Sequence, residues 1–141
     1  MTIASILSGK GAQIFSVTPD TPVTEVVALL AEKRIGAVPV VDDGGVRGIF
    51  SERDVIRLLA SGGGGLGAPV SSAMTAPAVT VTPGESVIGA LSLMTRRRIR
   101  HLPVVEGGRV IGFVSIGDLV KYRIDRIEAE AMAMRAYIQQ A

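Results

Sequence analysis

The chain has 141 residues, of which 48% are hydrophobic and 20% charged, and its formal net charge is +2 at pH 7. This composition is typical of one packed globular domain and excludes a disordered chain. The absence of cysteine and the single histidine exclude disulfides, thiol chemistry and an ordinary zinc site. No apolar run approaches the ~20 residues of a membrane helix, and the first residues lack the charged start of a signal peptide, so we expect a cytoplasmic protein with no membrane partner.

The first predicted elements follow an N-terminal segment, residues 1–13. A short strand is predicted at 15–17, and Thr21 followed by Pro22 supplies an N-cap with proline at the first helical position. Apolar residues then recur at i, i+3, i+4 and i+7, which predicts an amphipathic helix. These residues are Val23, Val26, Val27 and Leu30.

A hairpin and a second helix come next. The β-rich segments 37–41 and 46–50 flank the turn sequence Asp42-Asp43-Gly44-Gly45, and a helix is predicted to begin near Ser51. The unit formed by residues 14–60 is therefore β-α-β-β-α.

A glycine-rich stretch, residues 61–70, follows this helix. It contains G-x-G-x-x-G at Gly62, Gly64 and Gly67. A dinucleotide fingerprint must follow a strand and open a helix, whereas this one follows a helix. We therefore interpret the stretch as a flexible linker.

The remainder of the chain repeats the first unit. A shift of 64 positions aligns residues 15–58 with 79–122 without a gap, and the shared residues include the motif G-h-h-S-x-x-D, written GIFSERD and then GFVSIGD. A second copy is thus predicted at 71–122, followed by a C-terminal helix at 123–141 that carries an apolar stripe among alternating charges. This stripe either packs on its own domain or makes a dimer contact.

The two β-α-β-β-α units share three motifs: V-x-T-P before the first helix, a proline-containing strand (AVPVV or HLPVV) and the closing G-h-h-S-x-x-D. With these motifs in register, the chain resembles a pair of CBS domains of the small stand-alone bacterial type. The resemblance implies an α/β (α+β) module in which two repeats pack by pseudo-two-fold symmetry around two clefts. It also implies that the clefts bind adenosine-containing ligands and that modules pair into homodimers.

The serine–aspartate pairs of the two motifs have two interpretations. Ser51 with Asp54, and Ser115 with Asp118, match a capping box at a helix start. The family resemblance implies that the serine contacts ligand near ribose and phosphate, and that the aspartate accepts both ribose hydroxyls. The roles are compatible, because a capped helix N-terminus directs free N–H groups and a positive dipole end at the cleft.

The basic run at 96–101 suggests phosphate ligands. Arg100 and His101 replace Gly36 and Ala37 of the first copy and lead into the proline strand, and their charge and donor geometry suit phosphate oxygens. Part of the run is also explained by the preference for cations at a helix end.

The copies differ within the motif as well, since Arg53 stands where the second copy has Gly117. Arg53 either reaches a phosphate or is a solvated first-turn residue, and Lys10 is likewise either a phosphate ligand or solvated. We therefore expect two chemically unequal clefts.

The remaining candidate ligand-binding residues flank the base. Apolar side chains of the proline strands would lie against its face, and strand backbone near the threonines would read its edge, unless these residues serve only the core. They are Thr18, Val38, Pro39, Thr82, Leu102 and Pro103.

The leading functional hypothesis is a regulatory module that senses adenine nucleotides, namely AMP, ADP, ATP or NAD, with no required cofactor. The sequence contains no recognisable nucleophile–base pair or metal-binding cluster, so nothing in it indicates an enzyme. The alternative is a structural or regulatory adaptor with non-binding clefts that acts on an unidentified effector protein. A nucleic-acid partner is disfavoured by the low net charge and the few aromatic residues.

Overall fold

The structure is a computed structural model, and it describes residues 1–11, 13–62 and 65–140. Gly64 of the glycine motif and its neighbour Gly63 lie outside the described residues, as do Ala12 of the N-terminal segment and Ala141 of the C-terminal helix. None of the helices in these ranges is both long and apolar enough to cross a bilayer.

The first copy contains helix α2, strands β1 and β2 and helix α3, preceded in the chain by helix α1. Their bounds are Ile3–Lys10 for α1, Val23–Lys33 for α2, Ala37–Asp42 for β1, Gly45–Ser51 for β2 and Glu52–Ala60 for α3. The second copy contains α4, Val87–Arg97, β3, His101–Glu106, β4, Arg109–Ser115, and α5, Ile116–Gln140. A short 3-10 turn, Val70–Ser72, lies between the copies.

Each copy is built on an antiparallel hairpin. The loops of two residues have positive φ angles at both positions, 52° and 78° in the first copy and 59° and 78° in the second. These angles match the twist of the flanking strands, and the glycines at both loops adopt them without strain. The strand predicted at 15–17 is reduced to Val17, which forms an isolated parallel bridge with Val40, and Val81 does the same with Val104.

The first helix of the unit begins one residue later than predicted. Pro22, not Thr21, is the N-cap of α2, and it has no side chain able to accept a hydrogen bond. The Thr21 hydroxyl instead accepts the Thr18 N–H at 3.2 Å. The first two N–H groups of α2 are satisfied by the carbonyls of Ala68 and Leu66, both at 2.9 Å.

Each copy has its own core, completed by a segment that lies outside both repeats. Val70 is fully buried with the apolar residues of the first copy, although it lies in the predicted linker. Ile3 and Ile6 of α1 are buried in the core of the second copy. The two segments play equivalent parts, so each core consists of a hairpin, its two helices and one added segment.

The C-terminal helix leaves the body of the molecule. Leu119 is buried and Tyr122 packs against the core, but every residue from 124 to 140 is exposed. Of the two predicted alternatives, packing on its own domain does not occur beyond Arg123, because no other element of the described chain covers this part of the helix.

Candidate functional site

The first of two clefts, cleft one, has a volume of about 380 Å³ and lies where the start of α3 faces the second copy. Its first-copy residues are Gly36, Ile49, Ser51, Glu52, Arg53, Asp54, Ile56 and Arg57. Its remaining residues belong to the second copy and lie before α4 or around the first residue of β3: Thr75, Pro77, Ala78, Val79, Ile99, Arg100 and His101. The serine–aspartate motif of one copy therefore faces the basic residues of the other.

Asp54 is the centre of a hydrogen-bond network in cleft one. It is the one charged residue that is buried among those described, at 2% exposure. Its Oδ2 accepts the Ser51 N–H at 2.9 Å in a capping box, while its Oδ1 accepts the Thr75 hydroxyl at 2.8 Å and Arg57 Nη1 at 3.0 Å. Both oxygens are therefore engaged, which offsets the cost of burying the carboxylate.

Two further arginines border this network. Arg53 donates from Nη1 to the carbonyl oxygen of Arg98 at 2.7 Å, and so ties the start of α3 to the end of α4. Arg100 is anchored through its carbonyl, which accepts the Ile116 N–H at 2.8 Å. The Arg100 side chain lines cleft one without a hydrogen-bond or ion-pair partner in the described part of the chain.

The second cleft, cleft two, has a volume of about 400 Å³ and is the counterpart built on the motif of the second copy. It is lined by Lys10, Gln13, Ile14, Phe15, Arg34, Ile35, Gly36, Ala37, His101, Phe113, Ser115 and Asp118. Most of these positions are equivalent to cleft-one positions under the 64-residue shift, so the clefts are related by the internal repeat.

Asp118 is more accessible than Asp54, with 29% of its side chain exposed. It forms a complete capping box, in which Oδ2 accepts the Ser115 N–H at 2.8 Å and Ser115 Oγ accepts the Asp118 N–H at 3.1 Å. Lys10 Nζ donates to the same Oδ2 at 2.7 Å and to the Phe113 carbonyl at 2.7 Å. Lys10 thus bonds the aspartate rather than extending freely toward a phosphate.

These bonds control the charge of Asp118. Partial burial opposes ionisation, but the Lys10 ammonium and the Ser115 N–H outweigh it, so the pKa of the Asp118 carboxyl lies below its ordinary value. Asp118 is therefore a carboxylate at neutral pH.

His101 lies on the wall common to both clefts. Its burial disfavours the imidazolium and lowers its pKa below the ordinary value, although Asp118 and Glu52 oppose the shift. The ring stacks on Phe113 with a centroid separation of 5.6 Å and an interplanar angle of 11°. His101 is therefore mainly neutral at pH 7, which differs from the cationic phosphate ligand expected from sequence.

The structure brings most of the predicted polar residues to the clefts. In cleft one it unites Ser51, Arg53, Asp54, Arg100 and His101, so that Arg53 of the first copy and Arg100 of the second line the same cleft, while His101 lines cleft two as well. Ser115 and Asp118 line cleft two.

The other predicted residues do not line either cleft. Val38 and Leu102 are 0% exposed, and the prolines that follow them are buried, because this stretch of β1 and β3 packs in the core. Thr18 is bonded to Thr21, the Thr82 N–H is bonded to the Glu85 carboxylate, and neither lines a cleft. The residues placed away from both clefts are Thr18, Val38, Pro39, Thr82, Leu102, Pro103 and Gly117.

Sequence reasoning missed the apolar walls. In cleft one these are contributed by Ile49, Ile56, Pro77, Val79 and Ile99, and in cleft two by Ile14, Phe15, Ile35 and Phe113. The repeat itself carried the signal, since Phe15 with Val79, Ile35 with Ile99, and Ile49 with Phe113 are equivalent pairs. Within the described residues, no group of histidine and acidic side chains could hold a metal ion.

Comparison with known proteins places these features in one family. The family model for the CBS domain matches the chain twice, at residues 11–61 and 70–125. The CBS domain-containing protein YhcV of Bacillus subtilis is 33% identical over 83% of this chain and 84% of its own length.

Solved structures show the same similarity. A putative signal-transduction protein with CBS domains from Burkholderia ambifaria is 42% identical with a TM-score of 0.81, over 89% of this chain and 95% of that one. The structure of CBSX2 in complex with AMP is 28% identical with a TM-score of 0.72, over 80% of this chain and 89% of that one.

Proposed function

Since this chain belongs to the CBS-domain family and consists of a CBS pair, we propose that it is a regulatory module that binds an adenine nucleotide, with cleft one as the principal site. The observation that carries the proposal is that residues of both copies line cleft one: the Asp54 carboxylate, an apolar wall and Arg100, whose side chain has no partner within residues 1–11, 13–62 and 65–140, surround one volume of about 380 Å³. This volume is in the range of small-molecule sites.

Cleft one contains groups suited to the base, the ribose and the phosphate of a nucleotide. The walls formed by Val79 and Ile99 suit the faces of a base. Asp54 suits the ribose, because a ribose hydroxyl replacing the Thr75 hydroxyl on Oδ1 exchanges one donor for another of the same kind. Arg100 suits the phosphate through a charge-assisted hydrogen bond.

The charge of the cleft favours a phosphate-bearing ligand. Three arginines and two acidic residues line cleft one, and Arg100 has no partner among the described residues. A ligand with a positive sulfonium gains nothing from this charge, whereas AMP, ADP, ATP or NAD does. AMP has a direct precedent in the CBSX2 complex.

Thermal unfolding with AMP, ADP, ATP, NAD, S-adenosylmethionine and adenosine tests the proposal. A ligand at ~100 times its Kd adds roughly 2.7 kcal/mol of apparent stability. Arg100→Ala should weaken AMP binding by about tenfold or more while leaving adenosine binding nearly unchanged, because only AMP has a phosphate. Arg97→Ala is the matched control, since this exposed arginine ends α4 and lines neither cleft.

The outcomes separate the functional hypotheses. Loss of AMP binding in Asp118→Asn but not in Arg100→Ala would move the principal site to cleft two. Absence of stabilisation by every ligand would overturn nucleotide sensing and favour an adaptor that acts through protein contacts.

We also propose that the protein is a homodimer joined through α5. The exposed part of this helix carries apolar residues at alternating spacings of four and three, the pattern of a coiled-coil seam. The seam consists of Val120, Ile124, Ile127, Ala131, Met134 and Ile138. An identical helix matches this spacing over its whole length, so a second copy is the partner proposed here.

The mass in solution tests this assembly. Ile127→Glu places a charge in the middle of the seam and should give a monomer by light scattering. Met132→Glu is the control, because Met132 is 69% exposed but lies off the seam. A monomeric wild type, or equal effects of the two substitutions, would overturn the proposal.

A further inference from the structure

His101 separates the two clefts. It lines both of them, as does Gly36, which lies against the edge of the imidazole. A β-carbon placed at Gly36 would lie 3.4 Å from His101 Cε1 and 3.6 Å from Nε2, so the ring fills the space next to this glycine. On its flat side the ring stacks on Phe113, a wall residue of cleft two.

Charged groups of both clefts act electrostatically on the imidazole. Glu52 and Arg100 belong to cleft one, and Lys10 and Asp118 belong to cleft two. The two acidic residues raise the pKa of His101 and the two basic residues lower it, against a background of burial that lowers it further. The imidazole therefore responds to charge placed on either side.

We propose that His101 couples the two clefts, so that an anionic ligand bound in one cleft strengthens the binding of an anion in the other. This inference rests on the proposed nucleotide function. An anion in either cleft favours the imidazolium, and the free energy needed to protonate the ring is supplied by the first ligand. The second ligand then meets a ring that is already charged, and by linkage the effect is reciprocal.

The first test requires no ligand. His101 is the single histidine of the chain, so its ring protons are identified in an NMR spectrum without assignment by mutation. Glu52→Gln and Asp118→Asn should each lower its pKa by a few tenths of a pH unit, and Arg100→Met and Lys10→Met should each raise it. Asp125→Asn, on the exposed part of α5, is the control and should leave it unchanged. A response to the variants of only one cleft would overturn the proposal.

The second test measures the coupling with AMP. Calorimetric titration of Asp118→Ala and Arg100→Ala gives the affinity of each cleft with the other disabled. In the wild type at pH 7.5, the second AMP should bind about fivefold more tightly than these references predict. This gain in affinity for the second AMP should vanish in His101→Phe, which keeps a flat ring over Phe113 but has no site for a proton. It should also vanish in the wild type at a pH well below the pKa of His101, where the ring is already charged before AMP binds.

The two proposals fail in different ways. Two AMP molecules that bind independently in the wild type would overturn the coupling but leave nucleotide sensing intact. If AMP does not bind, nucleotide sensing fails, and the ligand-free titration of His101 still decides whether both clefts act on the ring.

Discussion

Cleft one and cleft two arise from the same repeated motif but have different chemistry. In cleft one the motif aspartate is buried and both of its oxygens accept hydrogen bonds, whereas in cleft two Asp118 is partly exposed and paired with Lys10. The two aspartates differ because different residues contact them: Thr75 of the second copy contacts Asp54, and Lys10 of α1 contacts Asp118. The two copies therefore share the helix start and its aspartate, while their surroundings make the two sites unequal.

The largest expected difference concerns the two aspartates. Asp54→Ala removes the acceptor of the Ser51 N–H and the Thr75 hydroxyl in a buried place, and should lower the free energy of unfolding by about 2 to 3 kcal/mol. Asp118→Ala leaves groups that water can reach, and should lower it by about 1 kcal/mol.

Urea unfolding of the two variants, beside Asp54→Asn and Asp118→Asn as shape-matched controls, measures this difference. Equal losses for the two alanine variants would show that burial does not distinguish the aspartates. The asymmetry argued from the Thr75 and Arg57 contacts would then be wrong.

A smaller difference is expected at the two motif glycines. A β-carbon at Gly48 would lie 2.7 Å from the Thr75 carbonyl oxygen, which is backbone of the cleft-one wall. At Gly112 it would lie 2.5 Å from a methyl group of Leu7, a side chain that can rotate away. We expect Gly48→Ala to cost about 2 kcal/mol of stability and Gly112→Ala less than about 1 kcal/mol.

Thermal or urea unfolding of these alanine variants checks the expectation. Gly84→Ala is the control, since a β-carbon there meets no atom within 4 Å. A loss at Gly112 as large as that at Gly48 would show that Leu7 is fixed as firmly as the Thr75 backbone.

The fold was accessible from the sequence because its elements carry local signals. The helical apolar stripe at Val23 and the hairpin glycines each depend on neighbours in the chain, and the 64-residue repeat presents these signals twice. The corresponding helices and hairpins occur in the structure. The exception at Thr21 has a long-range cause, since carbonyls of residues 66 and 68 cap α2 in its place.

The site was accessible only in part, because its contacts cross between copies. The motif residues Ser51 and Asp54 could be identified from the sequence, but their position in the same cleft as Arg100 depends on how the two copies pack. The same packing buries Val38 and Leu102, which sequence alone could not distinguish from cleft walls. The pairing of Lys10 with Asp118 spans 108 positions and has no local signal.

The smallest expected effect is the response of the ligand-free protein to pH. Because the pKa of His101 is lowered by folding, the unfolded chain takes up this proton first as the pH falls. Stability is therefore lost below the ordinary histidine pKa, in the range from pH 7 to 5. The pKa of Asp118 is also lowered, but for an acid this stabilises the fold at neutral pH, and the contribution is lost only below about pH 4, as the pH falls toward its folded pKa.

Urea unfolding midpoints from pH 7 to 3 separate the two groups. His101→Phe should flatten the profile between pH 7 and 5, and Asp118→Asn should flatten it only in the acid range. Each variant is compared with the wild type at the same pH, so that the titration of other carboxylates cancels. If the unfolding midpoint of His101→Phe still fell between pH 7 and 5 as steeply as that of the wild type, folding would not lower the pKa of His101.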